Sequence, residues 1–264
     1  MTAIAVIPAR YASTRFPGKP LANQTGKYLI QHVYERASAA RSVDRVIVAT
    51  DDDRILKAVA SFGGEAVMTS ERHTTGTDRV AEVAEALGLH DDDLVLNVQG
   101  DEPEIAPGVL DELIERMADA PPTVRIATLA TRFDDAGPCD GPGSPLDPNC
   151  VKVVLDAEGC ALYFSRSLIP HPRNSQGRVE RPSEWLLHVG VYAFRADVLP
   201  KIAGLPGDKV VQPSTIESLE QLAWCAHGFR IRVCEIHDAA VGIDTPEDYA
   251  AFVKRVARSA SIKT

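Results

Sequence analysis

A chain of 264 residues with 45% apolar and 25% charged side chains can bury a sizeable core, which excludes a disordered or fibrous polypeptide. A net charge of −9 excludes a general nucleic-acid binder, which needs a basic footprint to displace phosphate counterions. The five cysteines form no C-x-x-C pair and sit at no zinc-ligand spacing, and no apolar run has signal-peptide or membrane-spanning character, so reduced thiols and a cytoplasmic location without a membrane partner are expected.

Charge is unevenly spread. Residues 1–34 contain no Asp or Glu yet carry Arg10, Arg15, Lys19 and Lys27, which places a local anion site inside an acidic protein. Residues 3–8 are the first strand-like run, followed by a helix-like stretch at 28–40, a strand at 45–50 and an amphipathic stretch at 52–62. A helix near 78–87, a strand at 94–99, a helix at 107–117 and a strand at 126–131 continue the alternation, which predicts βαβ units and ligands at the strands' carboxyl ends. Residues 134–149 hold Gly137-Pro138, Gly141-Pro142-Gly143 and Ser144-Pro145, too many breakers for regular structure. Two β-rich runs at 151–155 and 161–165 are joined by Asp156-Ala157-Glu158-Gly159, whose composition suits a hairpin turn. They read as an antiparallel addition to the sheet and as a dimer surface. A strand at 186–194, a helix at 214–227, a strand at 231–236 and a helix at 246–257 complete the pattern. The expected fold is α/β and Rossmann-like, a single domain over 1–264 with a mostly parallel sheet, helices on both faces and a small β-rich dimerisation insertion around 134–195.

The first strand runs into Ile7-Pro8-Ala9-Arg10-Tyr11-Ala12-Ser13-Thr14-Arg15-Phe16-Pro17-Gly18-Lys19-Pro20. Two guanidinium forks and an ammonium on such a loop can wrap a triphosphate through charge-assisted bonds, although an arbitrary basic loop is simply solvated. The string is not a Walker A loop, since Ser13 stands where its first Gly would be and Pro20 replaces Ser or Thr. Asp101 lies past Gly100 at the end of the 94–99 strand, which suits either a hard-cation ligand in a crevice or a turn aspartate before Pro103. Asp244 precedes Thr245-Pro246-Glu247-Asp248, a helix N-terminus in which Thr245 already supplies the cap. The two-residue period of the 186–194 strand puts His188, Gly190 and Tyr192 on one face, where His188 and Tyr192 flank a pocket or His188 is a satisfied structural group. Ser214-x-x-Glu217 reads as a capping box, which makes Glu217 structural and leaves Glu220 and Gln221 for a ligand's hydroxyls. Arg166 offers a planar fork to a carboxylate, or serves as a surface or interface arginine.

The complete N-terminal string closely resembles the signature of the 3-deoxy-manno-octulosonate cytidylyltransferases, or CMP-Kdo synthetases. The resemblance extends through His73-Thr74-Thr75-Gly76-Thr77-Asp78-Arg79, Val98-Gln99-Gly100-Asp101-Glu102-Pro103, Pro148-Asn149-Cys150-Val151-Lys152-Val153-Val154 and Leu162-Tyr163-Phe164-Ser165-Arg166. It continues in His188-Val189-Gly190-Val191-Tyr192, Glu217-Ser218-Leu219-Glu220-Gln221-Leu222 and Gly242-Ile243-Asp244-Thr245-Pro246-Glu247-Asp248. Each segment alone is weak, but their order beside the N-terminal string is highly specific. The chain departs from the family pattern at Thr75, where Ser is usual, at Tyr28, commonly Pro, and at Ala223, where a basic residue often follows Glu-Gln-Leu.

This resemblance implies a nucleotidyltransferase that couples CTP to the acidic keto-deoxy sugar Kdo, giving CMP-Kdo and pyrophosphate for lipopolysaccharide biosynthesis, in a homodimer. It implies Mg2+ on Asp101 and Asp244, with Lys19 and Arg10 joining them in catalysis. Nucleotide contacts are implied for Arg10, Arg15, Lys19, Gly76, Thr77, Arg79 and Gln99, with Arg79 reaching phosphate. Sugar contacts are implied for Arg166, His188, Tyr192, Glu220 and Gln221. A uridylyl- or guanylyltransferase would instead show G-x-G-x-R at the first strand, and a GT-A glycosyltransferase an Asp-x-Asp where this chain has Asp101-Glu102-Pro103.

Overall fold

Apolar runs separated by helix-length segments cannot close hairpins, so successive strands in the first third of the chain must pair in parallel through helical crossovers. The computed structural model describes residues 1–12, 15–203, 205, 212–237 and 242–262. Ser13 and Thr14 of the N-terminal string therefore lie outside the described residues. In chain order the elements are β1 (Ala3–Ala9), α1 (Leu29–Ser38), β2 (Arg45–Thr50), α2 (Asp53–Ser61), β3 (Ala66–Met68), α3 (Gly76–Leu87), β4 (Leu94–Asn97) and α4 (Pro107–Ala118). There follow β5 (Ile126–Arg132), β6 (Lys152–Leu155), β7 (Ala161–Ser165), β8 (Leu186–Arg195), α5 (Leu199–Ala203), α6 (Gln212–Glu217), α7 (Gln221–Ala226), β9 (Ile231–Ile236) and α8 (Pro246–Ile262).

The chain divides into two compact units, residues 1–114, 195–199 and 240–264 in one and 115–194 and 200–239 in the other. The sequence reading expects one domain with an insertion at 134–195. The second unit is wider because β5 pairs antiparallel with β8 and parallel with β9, which groups strands on both sides of the insertion with it.

In the first unit the strand order is β3-β2-β1-β4, all parallel. Central β1 is apolar on both faces and almost wholly buried, as expected of a strand covered on both sides. Asp52 caps α2 by accepting from Arg54 N at 2.9 Å, and Ile55, Ala58 and Val59 form the buried stripe of that helix. A reciprocal Thr75–Asp78 capping box opens α3, and Gly88 ends it at φ 61°, a left-handed conformation natural to glycine. Along α8, Tyr249 and Phe252 join Leu29 and Ile243 in a buried cluster against which Phe16 packs. Strand β3 is three residues long, too short for its periodicity to be read from sequence.

In the second unit β8 pairs with β5, and the register shifts between Thr128 and Leu129 so that Gly190 and Val191 stand opposite no β5 residue. Thr128 Oγ1 fills this bulge, 2.8 Å from Val191 O and 3.2 Å from Val189 O. The β6–β7 hairpin joins β8 at Leu186 and Leu187. Its turn is closed by Gly159 N donating to Asp156 O at 3.1 Å, and the Asp156 carboxylate accepts from Glu158 N and Cys160 N. The helix predicted over 214–227 is broken: α6 ends at Glu217, Ser218 adopts φ 51°, and α7 starts at Gln221. Ser214 lies inside α6, so no capping box opens there. The Glu217 carboxylate instead accepts from Ser165 Oγ at 2.6 Å and Arg166 N at 2.8 Å. No helix among the described residues is long and apolar enough to cross a membrane.

Lys152 is fully buried, and burial pushes its pKa down. Its Nζ donates to Asp147 O at 2.9 Å, Cys150 O at 2.5 Å and Arg166 O at 2.6 Å. This ammonium staples the breaker-rich segment to the hairpin and satisfies carbonyls that no strand can reach. Lys152→Met should lower the unfolding free energy by about 2 kcal/mol or more, because it takes the donor from Cys150 O and Arg166 O and leaves Asp147 O with Cys150 N alone. Urea denaturation measures it, and a loss below about 1 kcal/mol would contradict the assignment.

Candidate active site

Two glycines bring β4 and α3 against the end of β1. A side chain at Gly100 would meet Pro8 O at 2.9 Å, and one at Gly76 would meet Pro8 Cγ at 3.3 Å. The close approach leaves a pocket of about 290 Å³ in the first unit, floored by Pro8 and Ala9. Arg10, Arg15, Lys19, His73, Thr74, Thr75, Gly76, Arg79, Gln99, Asp101 and Asp244 are among its lining residues.

Lys19 stands at the start of a short 3-10 turn after Gly18, whose φ is 71°. Its ammonium donates to Asp101 Oδ2 at 2.7 Å and to Ile243 O at 2.8 Å, and lies 4.0 Å from Asp244 Oδ1. Arg15 donates to Asp244 Oδ1 at 3.0 Å. A backbone bond from Ile243 N to Asp101 O, 2.9 Å, ties the two acidic segments together. At the start of α8, Thr245 Oγ1 accepts from Asp248 N at 3.2 Å, while Asp248 Oδ2 accepts from Thr245 N at 2.9 Å. Thr245 and Asp248 thus complete the cap, and the Asp244 carboxylate faces the pocket. Asp101 likewise turns its carboxylate to Lys19.

Two carboxylates of chain-distant origin converging on one cation form a hard-oxygen donor set that fits magnesium, which takes one or two protein carboxylates and completes its shell with water and phosphate oxygens. Among the described residues no group of three or more His, Cys, Asp or Glu side chains offers an all-protein metal cage.

On the nucleotide side the structure gives Arg79 protein partners and moves Thr77 out of the pocket wall. Arg79 is buried, ion-paired with Asp51, and donates to Thr69 Oγ1 at 2.8 Å and Ser70 O at 3.3 Å. Its guanidinium braces the loop before α3, while the residue still lines the pocket beside Arg10, Arg15 and Lys19. Thr77 is buried in the first turn of α3 and does not line the pocket; His73, Thr74 and Thr75 form that wall. Sequence reasoning did not single out Glu82, which accepts from Ser70 N at 2.9 Å and meets His73 Nε2 at 2.5 Å. The backbone bond from Ser70, reinforced by His73, holds the Glu82 carboxyl below the usual range. A carboxylate three residues after Arg79 on a helix was the available signal.

The residues implied for the sugar all lie in the second unit. Arg166 Nε donates to Glu217 O at 2.7 Å and one terminal nitrogen to Pro148 O at 3.0 Å. His188 and Tyr192 come together as the strand period predicts, with ring centroids 5.5 Å apart, and Phe164 packs edge-on to His188 at 5.0 Å. His188 Nε2 lies 3.0 Å from Thr128 Oγ1, and desolvation among the rings lowers its pKa to about 3. It is a neutral imidazole at physiological pH. Burial, and next the Glu220 charge, push the Tyr192 hydroxyl well above its ordinary value. Gln221 is buried at the start of α7.

Glu102, beside Asp101, is buried, and its Oε2 finds no hydrogen-bond partner among the described residues. Burial, then the Asp101 charge, raise its pKa to about 8. Because the folded pKa exceeds the unfolded one, the group's contribution to stability is full below about pH 4.5 and is lost as pH rises through about 8. In EDTA, the thermal midpoint of the wild type should therefore drop more between about pH 5 and pH 8 than that of Glu102→Gln, which cannot titrate. Parallel pH profiles for the two proteins would refute the buried, protonated carboxyl.

Residues 4–231 match the family model described as Cytidylyltransferase. A protein of Geobacter sulfurreducens named 3-deoxy-manno-octulosonate cytidylyltransferase is 46% identical over 262 residues, 97% of this chain and 100% of that protein. One of the same name from Porphyromonas gingivalis is 48% identical over 93% of this chain and 92% of its own. A solved structure of CMP:2-keto-3-deoxy-manno-octonic acid synthetase complexed with CTP superposes with a TM-score of 0.85 at 42% identity, covering 98% of this chain and 100% of that one. With its basic loop, paired aspartates and near-complete coverage of these relatives, the chain belongs to the 3-deoxy-manno-octulosonate cytidylyltransferase family.

Proposed function

We propose that this protein transfers the cytidylyl group of CTP to Kdo, releasing pyrophosphate and forming CMP-Kdo for lipopolysaccharide assembly. The observation that carries the reading is the convergence of Arg10, Arg15 and Lys19 with Asp101 and Asp244 on one pocket. Three cations and two carboxylates in one cavity match a triphosphate and its counter-ion, a combination that a neutral sugar pocket has no use for.

The anomeric hydroxyl of the sugar attacks the α-phosphorus in line with the departing pyrophosphate, so the protein's task is positioning and charge balance. Arg10, Arg15 and Lys19 hold the phosphates and offset the charge that builds on the leaving group. Asp101 and Asp244 would hold Mg2+, which when bound supplies Lewis-acid neutralisation of phosphate oxygens and lowers the pKa of a bound hydroxyl. Gly76 and Gln99 line the pocket, and base and ribose would meet them there. Arg166 recognises the sugar carboxylate from a frame set by Glu217 and Pro148, and Tyr192, Glu220, Gln221 and the neutral imidazole of His188 bind hydroxyls. The likeness to the family supports a homodimer, with the β6–β7 hairpin as its surface. Free thiols throughout the cysteine set support a cytoplasmic protein.

Pyrophosphate release with CTP, UTP and GTP against a panel of keto-deoxy sugar acids tests the reaction. CTP should exceed UTP by about ten- to a hundredfold in kcat/KM, the effect of mismatching one or two buried base groups. Equal turnover with both nucleotides, or none with any sugar acid, would overturn it.

Asp101→Asn and Asp244→Asn each keep side-chain shape and remove charge. Each should lower turnover by at least about a hundredfold at ordinary magnesium, with partial recovery in excess metal, and the double variant should lose little more. Steady-state kinetics across a magnesium titration, with circular dichroism as the folding control, measures this. Near-normal turnover in either variant at low magnesium would remove that residue from the metal site.

A further inference from the structure

The basic loop turns three cations toward one cavity, and of these Arg15 and Lys19 are tied to Asp244 and Asp101. The near part, which carries Arg10, needs an anchor of its own before a nucleotide arrives. At its far end, Phe16 packs against the cluster of Leu29, Ile243, Tyr249 and Phe252, and the ring centroids of Phe16 and Tyr249 are 5.7 Å apart. At its near end lies Tyr11, which is absent from the pocket lining.

The Tyr11 ring lies on the guanidinium of Arg54, with Cζ 3.3 Å from the ring centroid. Arg54 is itself fixed: its Nε and a terminal nitrogen donate to the two Asp52 oxygens at 2.9 and 2.6 Å, and Asp52 is the N-cap of α2. The ring therefore rests on a platform built into a rigid helix end, and the paired Asp52 charge offsets the cation that this platform brings beside the loop. The other face of the arrangement closes the loop. Gly18 N donates to Tyr11 O at 3.0 Å, and a side chain at Gly18, whose φ is 71°, would stand 3.1 Å from the Tyr11 ring. Only a glycine lets the ring cover the chain just before Lys19.

We infer that the stack of Tyr11 on Arg54, backed by Asp52, is a brace that fixes the near end of the basic loop, residues 10–12, against Gly18 for the triphosphate, so that Tyr11 and Arg54 are positioning residues for the nucleotide. The inference rests on the nucleotidyltransferase reading of the pocket. Pre-ordering matters because a loop that orders only on binding subtracts that entropy from the affinity. The brace acts through the face of the ring, so Phe should replace Tyr and Ala should not.

Two measurements on the full chain test it. The first is the rate of tryptic cleavage after Arg10 and Arg15 without ligand, which reads loop order independently of any reaction. Tyr11→Ala and Arg54→Met should be cut at least about fivefold faster than the wild type, and Tyr11→Phe within about twofold. The second is calorimetric CTP binding, expected to weaken about fivefold in Tyr11→Ala and Arg54→Met and to stay within about twofold in Tyr11→Phe, with the KM for the sugar unchanged. Cleavage of Tyr11→Ala at the wild-type rate, faster cleavage without weaker CTP binding, or a Phe variant as loose as the Ala variant would each overturn the brace. If the wild type released no pyrophosphate from CTP, the proposed reaction would fall while the cleavage rates still decided whether the brace exists.

Discussion

The ammonium of Lys19 is the point on which the site depends. It reaches Asp101, Ile243 O and Asp244 from a loop that leaves the first strand, and so joins three stretches of chain that are far apart in sequence. Two carboxylates turned toward one small cavity repel, and among the described residues neither has a backbone donor that would compensate it there. With the ammonium between them the arrangement is balanced, and the backbone bond from Ile243 N to Asp101 O fixes the spacing that the charges then share. The contacts of Gly76 and Gly100 with Pro8 belong to the same constraint, because a side chain at Gly100 would displace the segment that carries Asp101.

The second unit solves a different problem, that of polar groups inside a β-rich layer. Lys152 supplies one buried cation to three carbonyls, and Glu217 supplies one carboxylate to the hydroxyl and backbone N–H at the end of β7. These interactions set the position of Arg166, whose backbone and side chain both take part. A residue implied by family likeness to bind the sugar is thus held by the same groups that hold the hairpin. His188 shows the reverse economy: its environment removes its charge, leaving it useful as a neutral hydrogen-bonding group and not as a cation.

Much of this was legible in the sequence because the signals were local. The strand at 45–50 and the hairpin turn at 156–159 follow from apolar runs and turn chemistry that tertiary context does not override. The convergence of the basic loop with Asp101 and Asp244 was expected from likeness to a family, and the spacing of charges alone left it open. What was not legible depends on distant partners. Nothing near Arg79 announces that Asp51 will take its guanidinium, and Ser214-x-x-Glu217 has the composition of a capping box although Glu217 is drawn away to Ser165 and Arg166. The left-handed Ser218 that splits the predicted helix is likewise invisible to a periodicity argument, since serine does not favour that conformation. The wider second unit escaped notice because strand-like runs do not declare the direction in which they pair.

The central claim is that Asp101 and Asp244 act together as the protein's share of one metal site completed by the nucleotide. Electron paramagnetic resonance of Mn2+ in place of Mg2+ reads that site without requiring turnover. The account predicts tight retention of about one Mn2+ per chain when CTP is present, weak retention without it, and loss of the CTP-dependent signal in both Asp101→Asn and Asp244→Asn. Undiminished CTP-dependent Mn2+ binding in either variant would contradict it.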